Sequence, residues 1–241
     1  MSGIGRPLCQ QQLEKQGHKQ DIAYNDVVRF LMGDLVEAAA VLIMKAAGIN
    51  VEQEQSKCSL ELDGQTVNGT LDVIIDEKVW DIKSTSPWSF ENKFSGRGGY
   101  DAIKNDDPFG YAMQGFLYAE ATGLPFGGWI VVNKSSGEIA IVEVPDWSQD
   151  DKADYLKDAA RRVKILTDPA KKPTVDFKDE FETFRKDGED VRTGNKILAK
   201  QCGMCGFKHH CWPNAVYHDK VTSRAKNKPK VWYSRLKKKE L

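Results

Sequence analysis

The stretch Val67–Ser84, VNGTLDVIIDEKVWDIKS, decides the fold that we predict for this chain. Apolar and polar residues alternate on both sides of positions 76 and 77, which predicts two short strands joined by a tight turn. A two-residue turn sets Asp72 directly across from Asp81, with Lys83 on the same face as Asp81. Carboxylates facing each other repel, so we expect a cation between them. Hard oxygen ligands of this kind suit Mg²⁺ or Mn²⁺.

Length and composition bound the class of protein. The 241 residues are 40% hydrophobic and 29% charged, as expected for a soluble globular chain of one domain or one domain with a small appendage. We find no apolar run long enough to cross a bilayer and no signal-peptide pattern at the N-terminus. The expected location is therefore cytoplasmic, with no membrane partner.

The formal net charge of zero hides a basic C-terminal end. Residues 220–241 have a net charge of +8, which leaves −8 on the rest of the chain. An acidic body with a basic tail suits a metal-dependent enzyme that acts on a polyanion, and the tail is also a candidate site for a protein partner. The other interpretation, which the tail alone favours, is a solvated, disordered end. The charged residues of the segment 220–241 are Lys220, Arg224, Lys226, Lys228, Lys230, Arg235, Lys237, Lys238, Lys239 and Glu240.

A helix is predicted from Asn25 to Ala47, and its apolar composition indicates that it is well buried. Glu37 interrupts the apolar region, and Gly33 lies one turn earlier on the same face, where it is predicted to leave room beside the carboxylate. A buried carboxylate needs a partner, so Glu37 is a candidate ligand. It is equally consistent with a surface position beside Asp34.

The remaining segments alternate between strands and helices. We predict a strand at 50–62, a second hairpin at 127–133 and 138–144, a helix at 148–166, and a connector with a short helix at 167–195. Residues 86–107 are predicted to be a long loop whose aromatic and basic residues either stack on a single nucleic-acid strand or patch the core. The helix predicted at 108–122 places Gln114 and Tyr118 on one face.

The order of these residues resembles a known family. A helical Glu37, then Gly69-x-x-Asp72, Asp81-Ile82-Lys83 and Gln114-x-x-x-Tyr118 resemble the PD-(D/E)xK nucleases, in particular the RecB-type branch with its QxxxY signature. Taken alone, Asp81 and Lys83 also fit a plain salt bridge on an edge strand, which leaves the position of Asp72 unexplained.

The resemblance implies a fold and a set of roles. It implies an α/β restriction-endonuclease-like core, in which a mixed β-sheet is flanked by helices. Glu37, Asp72, Asp81 and the backbone carbonyl of Ile82 would bind one or two Mg²⁺ or Mn²⁺ ions. Lys83 would position the attacking water. Gln114 and Tyr118 would hold the site and the DNA backbone.

The cysteines form a second constellation, with Cys202, Cys205 and Cys211 near the C-terminus and Cys9 near the N-terminus. Clustered cysteines in a cytosolic chain indicate a metal site rather than disulfides. Cys9 would complete a four-cysteine site for a 4Fe–4S cluster, or His209 or His210 would complete a zinc site. The spacing resembles that of the iron–sulfur nucleases of this branch, including the AddB nuclease domain and CRISPR-associated adaptation nucleases. The resemblance therefore implies that Cys9, Cys202, Cys205 and Cys211 are cluster ligands, joining the N- and C-terminal segments.

These observations predict four segments and one activity. The segments are 1–25 with the first cluster cysteine, a nuclease core at 26–168, a cysteine-containing segment at 169–215, and a basic tail at 216–241. The expected activity is metal-dependent hydrolysis of DNA, in particular exonuclease action on single-stranded ends. Two alternatives stay open: a non-catalytic nucleic-acid-binding protein with structural zinc, and an endonuclease of the same fold.

Overall fold

The computed structural model describes residues 1 and 3–237, which form two compact units. Met1–Arg6 and Ala23–Lys171 make the first unit, and Pro7–Ile22 together with the chain from Lys172 onward makes the second. The predicted nuclease core lies in the first unit. The predicted N-terminal and cysteine-containing segments lie mainly in the second.

A five-stranded mixed sheet forms the centre of the first unit. Its strands follow the order β1 (Val51–Leu62), β2 (Gln65–Ile75), β3 (Lys78–Thr85), β4 (Phe126–Asn133) and β5 (Ile139–Glu143). Strands β3 and β4 are parallel, and every other neighbouring pair is antiparallel. The mixed sheet flanked by helices is confirmed.

The turn between β2 and β3 has two residues, as predicted. Asp76 and Glu77 both have positive φ angles, 51° and 55°, which the tight hairpin turn requires. The ladder pairs Ile75 with Lys78 and Val73 with Trp80. The same register, continued by one pair, sets Asp72 opposite Asp81.

The crossover from β3 to β4 corrects the prediction of a long loop at 86–107. It contains α3 (Pro87–Ser89), a π-helix (Phe90–Phe94) and α4 (Tyr100–Asn105), followed by α5 (Tyr111–Thr122). Phe90, Phe94 and Ile103 are buried in the main core. The aromatic residues of this segment were predicted either to stack on nucleic acid or to patch the core. Phe90 and Phe94 do the latter, and the half-buried Tyr100 packs against the same core.

Helices cover both faces of the sheet. The main core includes residues of α5 and of α6 (Gln149–Thr167), such as Phe116, Leu117 and Ala159, packed around Trp129 of β4. A smaller core lies under α2 (Tyr24–Ala46), where Ala40 and Val41 contact Val73, Ile82 and Ile130.

Helix α2 lies at the predicted position but is not well buried. Ala40 and Val41 are its only buried residues among those described, whereas Leu42 remains 67% exposed and Ile43 59% exposed. The prediction was wrong because it took apolar composition as burial. Only one face of a helix can pack on a sheet, and the described residues leave the other face of α2 uncovered.

The second unit contains α1 (Leu8–Lys15) and a four-stranded sheet of order β6, β7, β9, β8. Strands β6 (Glu180–Lys186) and β7 (Glu189–Ile197) replace the predicted connector and short helix. Asp187 and Gly188 form their turn with φ angles of 52° and 86°, and this Asp-Gly pair was a hairpin signal that the prediction missed.

The basic C-terminal end is also ordered as far as the structure describes it. Strands β8 (Val216–Asp219) and β9 (Lys230–Arg235) pair with each other, which corrects, as far as residue 237, the interpretation of the end at 220–241 as disordered. Lys238, Lys239 and Glu240 lie outside the described residues. Three cysteines lie in or between two short helices. Helix α7 (Lys200–Gly203) contains Cys202, helix α8 (Lys208–Cys211) contains Cys211, and Cys205 lies between them. Over the described ranges, no helix has the length and apolar character needed to cross a bilayer.

Candidate active site

Asp72 and Asp81 meet on neighbouring strands inside the first unit. Asp81 is 1% exposed, and Asp72 Oδ2 accepts a hydrogen bond of 2.7 Å from the backbone N–H of Ile82. The two carboxyl groups lie close enough that each one affects the pKa of the other. The structure therefore brings together the two aspartates that the hairpin register predicted.

The environment of the pair favours protonation. Burial, followed by repulsion from Asp81, raises the pKa of Asp72 to about 8. Burial also raises the pKa of Asp81, although the nearby Lys83 opposes that rise. Near neutral pH and without a cation, the pair is expected to hold one proton. The two carboxylates would release that proton when they bind a cation.

Lys83 lies beside Asp81 on β3. Its Nζ is 2.7 Å from Oδ1 and 2.6 Å from Oδ2 of Asp81, and 5.1 Å from the centre of the Tyr111 ring. Burial works against the charged form of Lys83, but the carboxylates of Asp81 and Asp72 outweigh it and raise its pKa. Lys83 is therefore an ammonium at all physiological pH values, and it cannot act as a base until a cation replaces it at Asp81.

One oxygen of Asp81 is left without a hydrogen bond. Oδ2 is buried and accepts none from the described residues, because its contact with Lys83 is an ion pair outside hydrogen-bond geometry. A buried carboxylate oxygen whose only close partner is a lysine ammonium is able to exchange that partner for a metal ion. This oxygen fits the predicted cation.

Glu37 stands apart from the aspartate pair. Its carboxylate accepts a hydrogen bond from Gln55 Nε2 of β1. Burial raises the pKa of Glu37, and the interactions with Lys83 and Asp81 show that it borders the site. Among the described residues no three His, Cys, Asp or Glu side chains are grouped closely enough to hold a metal ion. Metal binding by Glu37 stays a prediction.

Gln114 and Tyr118 support the strand that carries Asp72. Gln114 Nε2 donates to the Tyr118 hydroxyl at 3.4 Å, and that hydroxyl donates to the carbonyl of Thr70 at 2.7 Å. A Cβ on Gly69 would lie 2.8 Å from the Tyr118 ring, so glycine permits this close approach. Both side chains are buried, which leaves little surface for the predicted contact with DNA, and that contact stays a prediction.

Tyr111 borders the site and was missed by sequence reasoning. It lies at the start of α5, where the Asp107 carboxylate accepts hydrogen bonds of 2.9 Å from the backbone N–H groups of Tyr111 and Ala112. Burial raises the pKa of Tyr111 to about 12, so its hydroxyl stays protonated. Its position one turn before Gln114 was the available signal, since residues at that spacing share a helix face.

The four predicted cluster cysteines line one small cavity of about 20 Å³ in the second unit. Neither His209 nor His210, the alternative fourth ligands, lines it. Nε2 of His209 instead lies 3.7 Å from Oδ2 of Asp21. The imidazole ring of His210 packs on that of His18, with ring centroids 4.4 Å apart. The four cysteines implied by the resemblance are therefore neighbours, although among the described residues their sulfur atoms are not grouped at metal-binding distance.

The thiols that line this cavity favour their protonated form when no group is bound. Burial raises the pKa of Cys9 to about 12, and burial followed by neighbouring thiols raises that of Cys202. The buried indole N–H of Trp212 lies near Cys202, where it opposes that rise, but it makes no hydrogen bond to the described residues. A bound sulfide or thiolate would supply the acceptor that Trp212 lacks.

Comparisons with known proteins give little beyond this geometry. No family model and no curated protein matches the chain. The solved structure of a proposed exonuclease from Eubacterium rectale is similar over 47% of this chain and 43% of its own, with 19% identity and a TM-score of 0.35. The structure of SSO0001 is similar over 70% of this chain and 76% of the SSO0001 chain, with 15% identity and a TM-score of 0.40. At these scores neither likeness carries an argument about function.

Proposed function

We propose that this chain is a metal-dependent DNA nuclease of the PD-(D/E)xK superfamily, of the RecB type, acting as an exonuclease on single-stranded ends. One observation carries the proposal: the buried Asp81 and the half-buried Asp72, both with raised pKa values, meet beside the half-buried Lys83, and one oxygen of Asp81 lacks a hydrogen bond within the described part of the chain. The ordered resemblance of the sequence to the family supports it.

Each residue then has a definable task. Asp72 and Asp81, with the carbonyl of Ile82 and with Glu37 after it leaves Gln55, would hold Mg²⁺ or Mn²⁺. The ion, when bound, would activate water and offset the negative charge that develops on phosphorus. Lys83, freed from its contact with Asp81, would orient the water with its positive charge. Tyr118 and Gln114 would keep β2 in place.

Linear and circular substrates separate the possible nucleases. We expect 5′-labelled linear single-stranded DNA to be degraded in Mn²⁺ or Mg²⁺, and a covalently closed single-stranded circle of the same sequence to stay intact. Cutting of the circle would show an endonuclease of the same fold. DNA binding without cleavage in either ion would favour the non-catalytic alternative, which is consistent with the lack of a preformed three-ligand group among the described residues.

We further propose that Cys9, Cys202, Cys205 and Cys211 bind a 4Fe–4S cluster. All four line one cavity, and thiolates are the ligands that such clusters use. Anaerobically purified protein is expected to absorb visible light and to contain iron and acid-labile sulfide, both lost in Cys205→Ser. Colourless protein with one zinc per chain would instead assign the site to structural zinc.

A further inference from the structure

An open cleft of about 640 Å³ lies in the second unit, where the loop between β8 and β9 approaches the β6–β7 hairpin. Its lining combines three basic side chains with four side chains that carry a hydroxyl. It contains none of the carboxylates or cysteines of the candidate sites. The cleft therefore needs its own explanation.

Unpaired positive charge is concentrated beside this cleft. Residues 220–230 contain five cations and no acidic residue. None of the five forms an ion pair within the described part of the chain, and Arg185 across the cleft meets only the exposed Asp190 at 3.5 Å. Exposed pairs of that kind contribute little, so the repulsion among these cations is nearly uncompensated. The five are Lys220, Arg224, Lys226, Lys228 and Lys230.

A buried carboxylate fixes the base of the basic loop. Glu182 is fully buried, and its Oε1 accepts hydrogen bonds from the Tyr233 hydroxyl at 2.7 Å and from the N–H and hydroxyl of Thr222, each at 3.2 Å. Its Oε2 accepts from Thr193 at 3.0 Å and Asn195 at 2.9 Å. Burial alone would raise the pKa of Glu182, but these hydrogen bonds outweigh it and lower the pKa.

The hydrogen bonds of Glu182 limit which groups of the cleft are available to a ligand. The hydroxyls of Thr193 and Thr222 are already engaged with Glu182, so two of the four hydroxyls of the lining are committed, whereas none of its three cations is bound to Glu182. Because the loop is anchored at Thr222, Lys220 and Arg224 are held on either side of a fixed point. A ligand would then meet cations whose backbone positions are already set by folding, which lowers the cost of ordering the loop on binding.

We propose that this cleft and its loop bind the phosphodiester backbone of nucleic acid, an inference that rests on the proposed nuclease function. A row of five cations along one loop matches a repeating polyanion better than a single phosphate. Lysine and arginine side chains bind phosphates without regard to sequence and release counterions, so the binding is strongly salt-dependent. The second unit would thereby hold the strand on which the nuclease acts.

Fluorescence anisotropy with a labelled single-stranded oligonucleotide tests the proposal. Binding is measured without divalent ions, so that no strand is cut, and over a range of salt concentrations. The double variant Arg224→Ala, Lys226→Ala is compared with Lys157→Ala, Lys164→Ala on α6, which removes the same charge elsewhere. We expect the loop variant to bind at least about 10-fold more weakly, and the control to change by less than about 2-fold. The salt slope of the loop variant should be smaller by about 0.7 for each phosphate that is no longer neutralised.

Equal affinities and equal slopes in the two variants would overturn the proposal. Both variants are expected to melt at the wild-type temperature, since the substituted side chains make no ion pair within the described residues. The outcome is distinguishable from failure of the nuclease function. Normal binding by the loop variant, with cleavage intact in Mn²⁺, rejects the cleft alone. Weakened binding by the loop variant, together with a wild-type protein that never cleaves DNA, rejects the nuclease alone.

Discussion

Asp72 and Asp81 repel each other across two neighbouring strands, and burial prevents water from screening that repulsion. Without a cation, the pair is tolerable only because it holds a proton and because Lys83 neutralises part of its charge. A stable structural ion pair would need one acid and one base. A purely structural ion pair between Asp81 and Lys83 does not explain why Asp72 is also present, whereas metal binding does.

This repulsion predicts a pH dependence of stability. Asp72 has a pKa of about 8 in the folded protein and of about 3.9 when unfolded, so the folded state binds more protons between those values. Its stabilising contribution is therefore lost as the pH rises toward 8. In buffer without divalent ions, Asp72→Asn is expected to gain about 1–3 kcal/mol of unfolding free energy over wild type between pH 5 and pH 8.

Urea unfolding at the two pH values measures that difference. Mg²⁺ or Mn²⁺ should stabilise the wild type at pH 8 and have little effect on Asp72→Asn, because the ion replaces the shared proton. A gap between the two proteins that does not change with pH would show that Asp72 is not protonated in the folded state.

At the scale of elements, the site depends on how closely α5 approaches β2. Tyr118 reaches the Thr70 carbonyl only because Gly69, beside it, has no side chain. Gly33 in α2 was predicted to make room in the same way beside Glu37. The structure shows a different situation, since a Cβ there would lie 3.7 Å from the Ser84 hydroxyl, an ordinary contact.

The two glycines therefore predict opposite effects of the same substitution. Gly69→Ala places a methyl group against the Tyr118 ring and is expected to lower the unfolding free energy by about 1–3 kcal/mol. Gly33→Ala is expected to raise it by about 0.5–1 kcal/mol, because alanine is the better residue inside a helix. Urea unfolding of both variants decides the matter. Equal effects of the same sign would contradict the close packing of Tyr118 on β2.

The elements that the sequence predicted well are those with a local signal. The β2–β3 hairpin follows from alternation and a two-residue turn, and α6 follows from its amphipathic pattern and the Ser148 cap, which accepts a hydrogen bond from the N–H of Asp151. Residues 180–197 were missed although Asp187-Gly188 is a strong turn signal, because their polar composition obscured the alternation. The ordered helices at 87–105 pack aromatic residues into a distant core, which local pattern does not show.

At the scale of the whole molecule, contacts between distant segments decided what the sequence left open. Cys9 lies beside three cysteines from the other end of the chain because α1 belongs to the second unit, which no local pattern indicates. The exposure of Leu42 and Ile43 in α2 was equally hidden, since composition does not tell which faces of a helix are covered. The aspartate pair was predictable because it follows from the register of one hairpin.

The most direct test of the account is release of nucleotides from end-labelled single-stranded DNA in Mn²⁺. We compare wild type, Asp81→Asn and Lys83→Met with Asp154→Asn, an exposed aspartate on α6, and check by circular dichroism that all four are folded. The account predicts cleavage by wild type and by Asp154→Asn, and a loss of at least about 100-fold in the two site variants. Wild-type rates in a folded Asp81→Asn protein would contradict it.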